Sequence, residues 1–165
     1  MHRLRPVGLD FLDSAPHRFV FEAEVGAPRP DVFAAISADP STWTLWFPGL
    51  DEGSYDGPGP YGVGSVRQVR MGTDLYRETM LAWDEPGRWA YRVDESTGDL
   101  ARALVEDWVF DGRDATTSVR WTFAIEPGPA MRDSMPAAEP VIGGVFDIAM
   151  ANLSARLTRT RRPTG

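Results

Sequence analysis

The chain has 165 residues, 42% hydrophobic and 25% charged, with a formal charge of −7. That describes one ordinary globular domain with enough chain for a real core, and its acidity excludes the clustered cations that nucleic acid or an anionic lipid surface would require. There is no cysteine, histidine occurs only at His2 and His17, and all seventeen basic residues are arginine; disulfide and thiolate chemistry, a histidine-based metal or triad site, and lysine Schiff-base or P-loop chemistry are thereby removed.

Residues 1–17 form the first expected segment. They are punctuated by proline yet carry Leu4, Val7, Leu9, Phe11 and Leu12, too apolar for a free tail, so an N-terminal strap packed on the domain is expected. Arg, Pro, Gly and Asp interrupt its apolar residues, unlike a signal peptide. No apolar run approaches the ~20 residues of a membrane span, and the expected location is cytoplasmic. Arginine without lysine, beside abundant Ala, Gly and Pro, points to a GC-rich bacterial genome.

The domain proper is expected over residues 18–160. Phe19, Phe21, Ala23 and Val25 alternate with Val20, Glu22 and Glu24 as in a half-buried strand. Pro28 and Pro30 suit a helix start, and Val32, Phe33 and Ile36 fall on one stripe. Asp39-Pro40 reads as the cap and first residue of a second short helix, carrying Trp43, Trp46 and Phe47 and stopped by Pro48-Gly49. The turn-rich DGPGPYGVG follows; its Gly62-x-Gly64 precedes a strand and is no nucleotide fingerprint.

Five strand-like segments come next, near 65–71, 75–83, 88–94, 100–110 and 117–126. Short turns join them, so they form an antiparallel meander with one covered face. After PGPAMRDSMPAAEP, a long amphipathic helix is expected from Pro140 to about Arg159. Its stripe is Ile142, Phe146, Ala149, Leu153 and Leu157, with Val145 and Ile148 beside it. Arg156, Arg159, Arg161 and Arg162 suit the helix dipole at its end. Residues 161–165 are a tail.

Together APRPDVFAAISADPSTWTLWFPG, VGSVRQVRMG with RETMLAWDEPGRWAYRV, and SVRWTFAIEP before a terminal helix resemble the START/SRPBCC superfamily. The polyketide cyclase/dehydrase-like bacterial proteins are the nearest group. The resemblance implies an α+β helix-grip fold, a curved antiparallel sheet wrapped around a long C-terminal helix. It also implies an internal ligand cavity but no universal catalytic residue. Trp43, Trp46 and Phe47 would close one end of the sheet, either as plain core or as a hydrophobic gate.

Strand parity supplies candidate inward residues. Trp89, Tyr91 and Val93 form one set, and Leu104, Glu106, Trp108 and Phe110 another. Val119, Trp121, Phe123 and Ile125 form a third, with Arg120 and Thr122 facing solvent. Val63, Arg67, Val69 and Met71 follow from a weaker pattern. Tyr76, Glu78, Met80 and Ala82 are favoured by the family pattern. An unpaired charge in such an interior costs several kcal/mol, so Arg67 and Glu78 are expected to meet across a hairpin. They form either an inert ion pair or a ligand anchor, with Glu106 or Tyr91 orienting the ligand. The candidate ligand-binding set is Arg67, Tyr76, Glu78, Tyr91, Glu106, Trp108, Trp121, Trp43, Trp46 and Phe146. Asp51, Glu52, Asp56, Asp94, Glu95 and Asp99 read as solvated charges in or near turns, and Asn152 as exposed or locally bonded rather than aimed at the cavity.

Three functions stay open: binding of a small hydrophobic ligand such as a lipid, polyketide or aromatic metabolite; a cyclase or dehydratase using the same cavity; and a protein-interaction module with a filled cavity. No cofactor and no metal is expected, and homodimerisation is left open.

Overall fold

In the computed structural model, which describes residues 1–161, a single sheet grips one long helix. The order is β1 (His2–Arg3), α1 (Phe11–Ser14), β2 (His17–Val25), α2 (Arg29–Ser37), a 3-10 turn (Pro40–Leu45), β3 (Leu50–Tyr55), β4 (Val66–Met71), β5 (Asp74–Asp84), β6 (Arg88–Ser96), β7 (Ala101–Arg113), β8 (Thr116–Pro127), α3 (Pro129–Arg132) and α4 (Met135–Arg161). The strands run β2-β8-β7-β6-β5-β4-β3, every neighbour antiparallel, with β1 on β6. Arg162 and the rest of the expected tail beyond Arg161 lie outside the described residues. No helix among the described residues is long and apolar enough to cross a membrane.

The helix-grip fold is present, with α4 against the sheet. Phe146, Ala149, Met150 and Leu153 are buried in one cluster with Trp108, Val119 and Trp121. The Phe146 ring stacks on Trp121 at 5.6 Å. Gly143 lets the helix come this close, because a Cβ there would stand 2.9 Å from the Phe21 ring. The helix starts at Met135, earlier than the expected Pro140. Met135 and Ala138 are buried against Leu104 and Ile125, so tertiary contact extends the helix through a proline whose cost is one missing backbone donor near its N-terminus. Ile148 is 54% exposed and does not join the buried stripe.

The other end is closed by the turn Pro40–Leu45. Asp39 caps it by accepting from the Ser41 N–H at 3.0 Å. The turn ends sooner than expected, so Trp46 and Phe47 lie just past it, their N–H groups returning to the Trp43 carbonyl. The Trp43 indole donates to the Ile36 carbonyl at 2.8 Å, and Asn152 on α4 donates to the Trp46 carbonyl at 3.2 Å. Gly53 on β3 allows the turn to press on the sheet, since a Cβ would lie 2.6 Å from the Pro40 carbonyl oxygen.

Three further expectations are corrected. Asp51 and Glu52 open β3, and Asp94 and Glu95 stand near the end of β6, close to turns as expected but paired rather than simply solvated. Their neighbours satisfy them: Asp51 accepts from the Gly72 N–H, Glu52 pairs with Arg70, and Asp94 with Arg92. The convex face is also covered. Phe11 and Leu12 of the strap are buried with Ala103, Val105 and Ala124, and Thr122, expected in solvent, is 5% exposed. Finally, Val63 is 69% exposed. A register shift between Met80 and Ala82 sets Trp83 opposite Trp89 and Ala82 opposite Ala90, which moves Ala82 to the convex face.

The start of the chain completes the inner wall. Strands β6 and β7 pair only from Arg88↔Val109 to Arg92↔Val105. Beyond that, the Leu4 N–H donates to the Asp94 carbonyl and the Arg5 N–H to the Arg102 carbonyl, each at 2.8 Å. The strap therefore runs between the separated strand ends, and Leu4 is buried in the gap.

Candidate functional site

A cavity of about 240 Å³ lies between the concave face of the sheet and α4. Leu4, Val69, Phe123 and Ile125 supply apolar wall from the sheet side, and Ile142 and Val145 from the helix. Val141 on its rim is exposed to solvent. The sequence carries no signal for Leu4 as a wall residue, because its contacts are all distant along the chain.

Among the candidates, Trp43, Arg67, Tyr76, Glu78, Tyr91, Glu106 and Trp121 line the cavity. Trp46, Trp108 and Phe146 do not. They are fully buried behind the wall in the aromatic core, with Trp108 stacked on Trp121 at 5.2 Å.

Arg67 and Glu78 are directly opposite on β4 and β5, and the Arg67 Nε donates to Glu78 Oε2 at 2.6 Å. Both are buried, at 1% and 4% exposure. Three rings enclose the guanidinium: Tyr91 at 4.6 Å, Trp43 at 4.7 Å and Trp89 at 4.8 Å. Such cation–π contacts, when desolvated, stabilise the charge by on the order of 2 kcal/mol. Burial pushes the Glu78 carboxyl up, and the adjoining guanidinium pulls it only part of the way back. For Arg67, burial disfavours the charge, and Glu78 with Tyr91 more than offsets it. The arginine is therefore charged, and the 2.6 Å contact to Glu78 makes that side chain its counter-ion.

Glu106 stands on β7, two strands from Glu78, with Tyr91 of β6 between them. Its Oε2 accepts from the Tyr91 hydroxyl at 2.5 Å and from the Trp121 indole at 3.0 Å. Tyr91 is opposite Glu106 in the β6–β7 register, so strand pairing builds this contact. Burial, and then the Glu78 charge, push the Glu106 carboxyl up to about 7. Burial also pushes Tyr91 well above the ordinary tyrosine range. No hydrogen bond among the described residues uses Glu106 Oε1 or the Tyr76 hydroxyl. Burial first, then nearby carboxylates, push Tyr76 up to about 12. Among the described residues no group of three or more histidine, cysteine or carboxylate side chains is placed to hold a metal ion.

The arrangement resembles known proteins along nearly its full length. A curated relative, an uncharacterized protein of Mycobacterium tuberculosis, is 29% identical over 154 residues, covering 93% of this chain and 92% of the relative. Two solved structures share the fold: a START superfamily protein from Mycobacterium smegmatis, with TM-score 0.71, 13% identity and coverage of 87% and 99%, and the ZhuI aromatase/cyclase from Streptomyces sp. R1128, with TM-score 0.71, 18% identity and coverage of 90% and 98%. The family profile described as polyketide cyclase / dehydrase and lipid transport matches residues 16–158, and the chain belongs to that family.

Proposed function

We propose that the protein binds a small hydrophobic molecule in the cavity beneath α4, with the apolar frame against the sheet and helix and a polar end toward Glu106 and Tyr76. The observation that carries this reading is an open volume of about 240 Å³ with apolar walls and its polar groups gathered at one side. An apolar cavity of ~150 Å³ takes up benzene, so this one suits a frame on the order of two fused rings. An open cavity speaks against the filled interaction module.

One observation favours a second reading, an enzyme of the cyclase or dehydratase type. Glu106 faces the cavity, is hydrogen-bonded to Tyr91 and ionises at about 7, the property a general acid–base group needs near neutrality. Both readings require occupation of the cavity. Native mass spectrometry of the purified protein, before and after incubation with naphthalene-sized compounds, is the test. A bound small molecule that is lost in Val145→Trp, which fills the cavity from α4, supports binding. A protein that never carries or takes up a ligand, or one whose ligand is untouched by Val145→Trp, rules it out. Conversion of the bound molecule, abolished in Glu106→Gln, would mark the enzyme.

A further inference from the structure

Resting on that binding reading, we propose that the site selects the polar head of its ligand by charge: it takes a neutral hydrogen-bond donor, a phenolic, enolic or alcoholic hydroxyl received by Glu106 Oε1, and it rejects carboxylates. Glu106, rather than Arg67, is then the specificity-determining residue.

Arg67 is the one cation among the cavity-lining residues and the obvious anchor for an anionic head. Its charge is already balanced. Glu78 holds Nε at 2.6 Å, three rings cover the guanidinium, and the side chain is only 1% exposed. Its Nη1 is buried without a partner, so that nitrogen offers no surface to a ligand head, and Arg67 makes only a small part of the cavity wall. Charges that remain are those of the carboxylates. Glu78 cancels Arg67, and Glu106 is left with no cation of its own. A ligand carboxylate would therefore bring a second unbalanced negative charge into an apolar space, where isolated charge is costly.

Glu106 offers the complementary chemistry. Tyr91 and Trp121 donate to Oε2, which holds the carboxylate in place and leaves Oε1 to accept. An acceptor wall calls for a donor head. The surrounding groups add no competing cation: Tyr91 and Trp121 are committed donors, Tyr76 is a second hydroxyl on the wall, Glu78 is negative, and α4 contributes Ile142 and Val145, which carry no charge. A hydroxyl bonded to an ionised carboxylate is held more strongly than one bonded to a neutral acceptor.

The test uses three probes on one ring frame, substituted at the same position: naphthol, methoxynaphthalene and naphthoate. Binding to the full chain is measured by calorimetry and by tryptophan fluorescence, which Trp43 and Trp121 in the wall should report. At a pH about one unit above 7, where Glu106 is ionised, naphthol should bind at least about tenfold more tightly than either partner. Glu106→Gln should shrink the naphthol-to-naphthoate ratio by about tenfold, mostly by admitting naphthoate. The probe ranking on the unmodified protein stands even if that variant folds poorly. Naphthoate binding as tightly as naphthol would overturn the selectivity while leaving the cavity reading intact. Failure of all three probes to bind would overturn both.

Discussion

Arg67 and Glu78 meet across β4 and β5 with 2.6 Å between Nε and Oε2, and neither reaches bulk water. Two charges in that position gain little over a pair of well-packed apolar residues, but either one alone is a large liability. The pair therefore ties the strand register to the aromatic corner formed by Trp43, Trp89 and Tyr91.

Arg67→Met should accordingly destabilise the fold by about 3–5 kcal/mol, because it strands the Glu78 carboxylate. Adding Glu78→Leu should recover most of the loss, a coupling well beyond the error of a double-mutant cycle. Urea denaturation of the four proteins provides the measurement. Independent, additive losses would show that the two side chains do not depend on each other.

Parity makes much of this corner legible in the sequence. SVRWTFAIE alternates cleanly, which assigns Trp121, Phe123 and Ile125 to the interior, and all three line the cavity. Glu106 follows from its place between Leu104 and Trp108. Parity fails at the irregularities. The bulge between Met80 and Ala82 exchanges Ala82 for Trp83 on the inner face, and a one-residue slip of that kind leaves no mark in the composition of the strand. Thr122 escapes parity because what covers it comes from the other end of the chain. The same limit hides Leu4, and it makes Trp46, Trp108 and Phe146 look like wall when they are core: periodicity reports a face, not a depth.

The strap supplies a second prediction. Leu4 fills the gap between the ends of β6 and β7, and Phe11 and Leu12 cover the convex face. Leu4→Ala should cost about 2–3 kcal/mol and should speed ligand exchange by opening a wall of the cavity. Amide exchange should show Phe11 and Leu12 protected in the native protein. Free exchange there, with Leu4→Ala silent, would mean that the strap does not hold the domain.

Trp121→Phe isolates one hydrogen bond. The ring and most of its packing remain, but the indole N–H that donates to Glu106 Oε2 is gone. That donor favours the ionised carboxylate, so its loss should raise the Glu106 pKa further, by about one unit. Carbon-detected NMR titration of the glutamate carboxyls is the check. A Glu106 titration that stays in place would indicate that Tyr91 alone positions the carboxylate.

Glu106 should also leave a signature in the pH dependence of stability. Its carboxyl is raised from an ordinary 4.5 to about 7, so the folded protein holds this proton more tightly than the unfolded chain does. The contribution is fully present below about 4.5 and is lost as the pH rises through about 7. Glu106→Gln cannot ionise, so the difference in unfolding free energy between the native protein and this variant isolates the group from every other carboxylate, Glu78 included. From acid to neutral pH that difference should shift against the native protein by on the order of 2–3 kcal/mol, allowing for screening by water in the cavity. Nearly all of the change should fall between about 4.5 and 7. Saturating naphthol should shrink it, because a hydroxyl that donates to the ionised carboxylate returns part of what burial takes away. A difference that is flat across that window would mean that Glu106 ionises as an ordinary surface glutamate and is already a carboxylate well below neutral pH, so that burial does not set its charge.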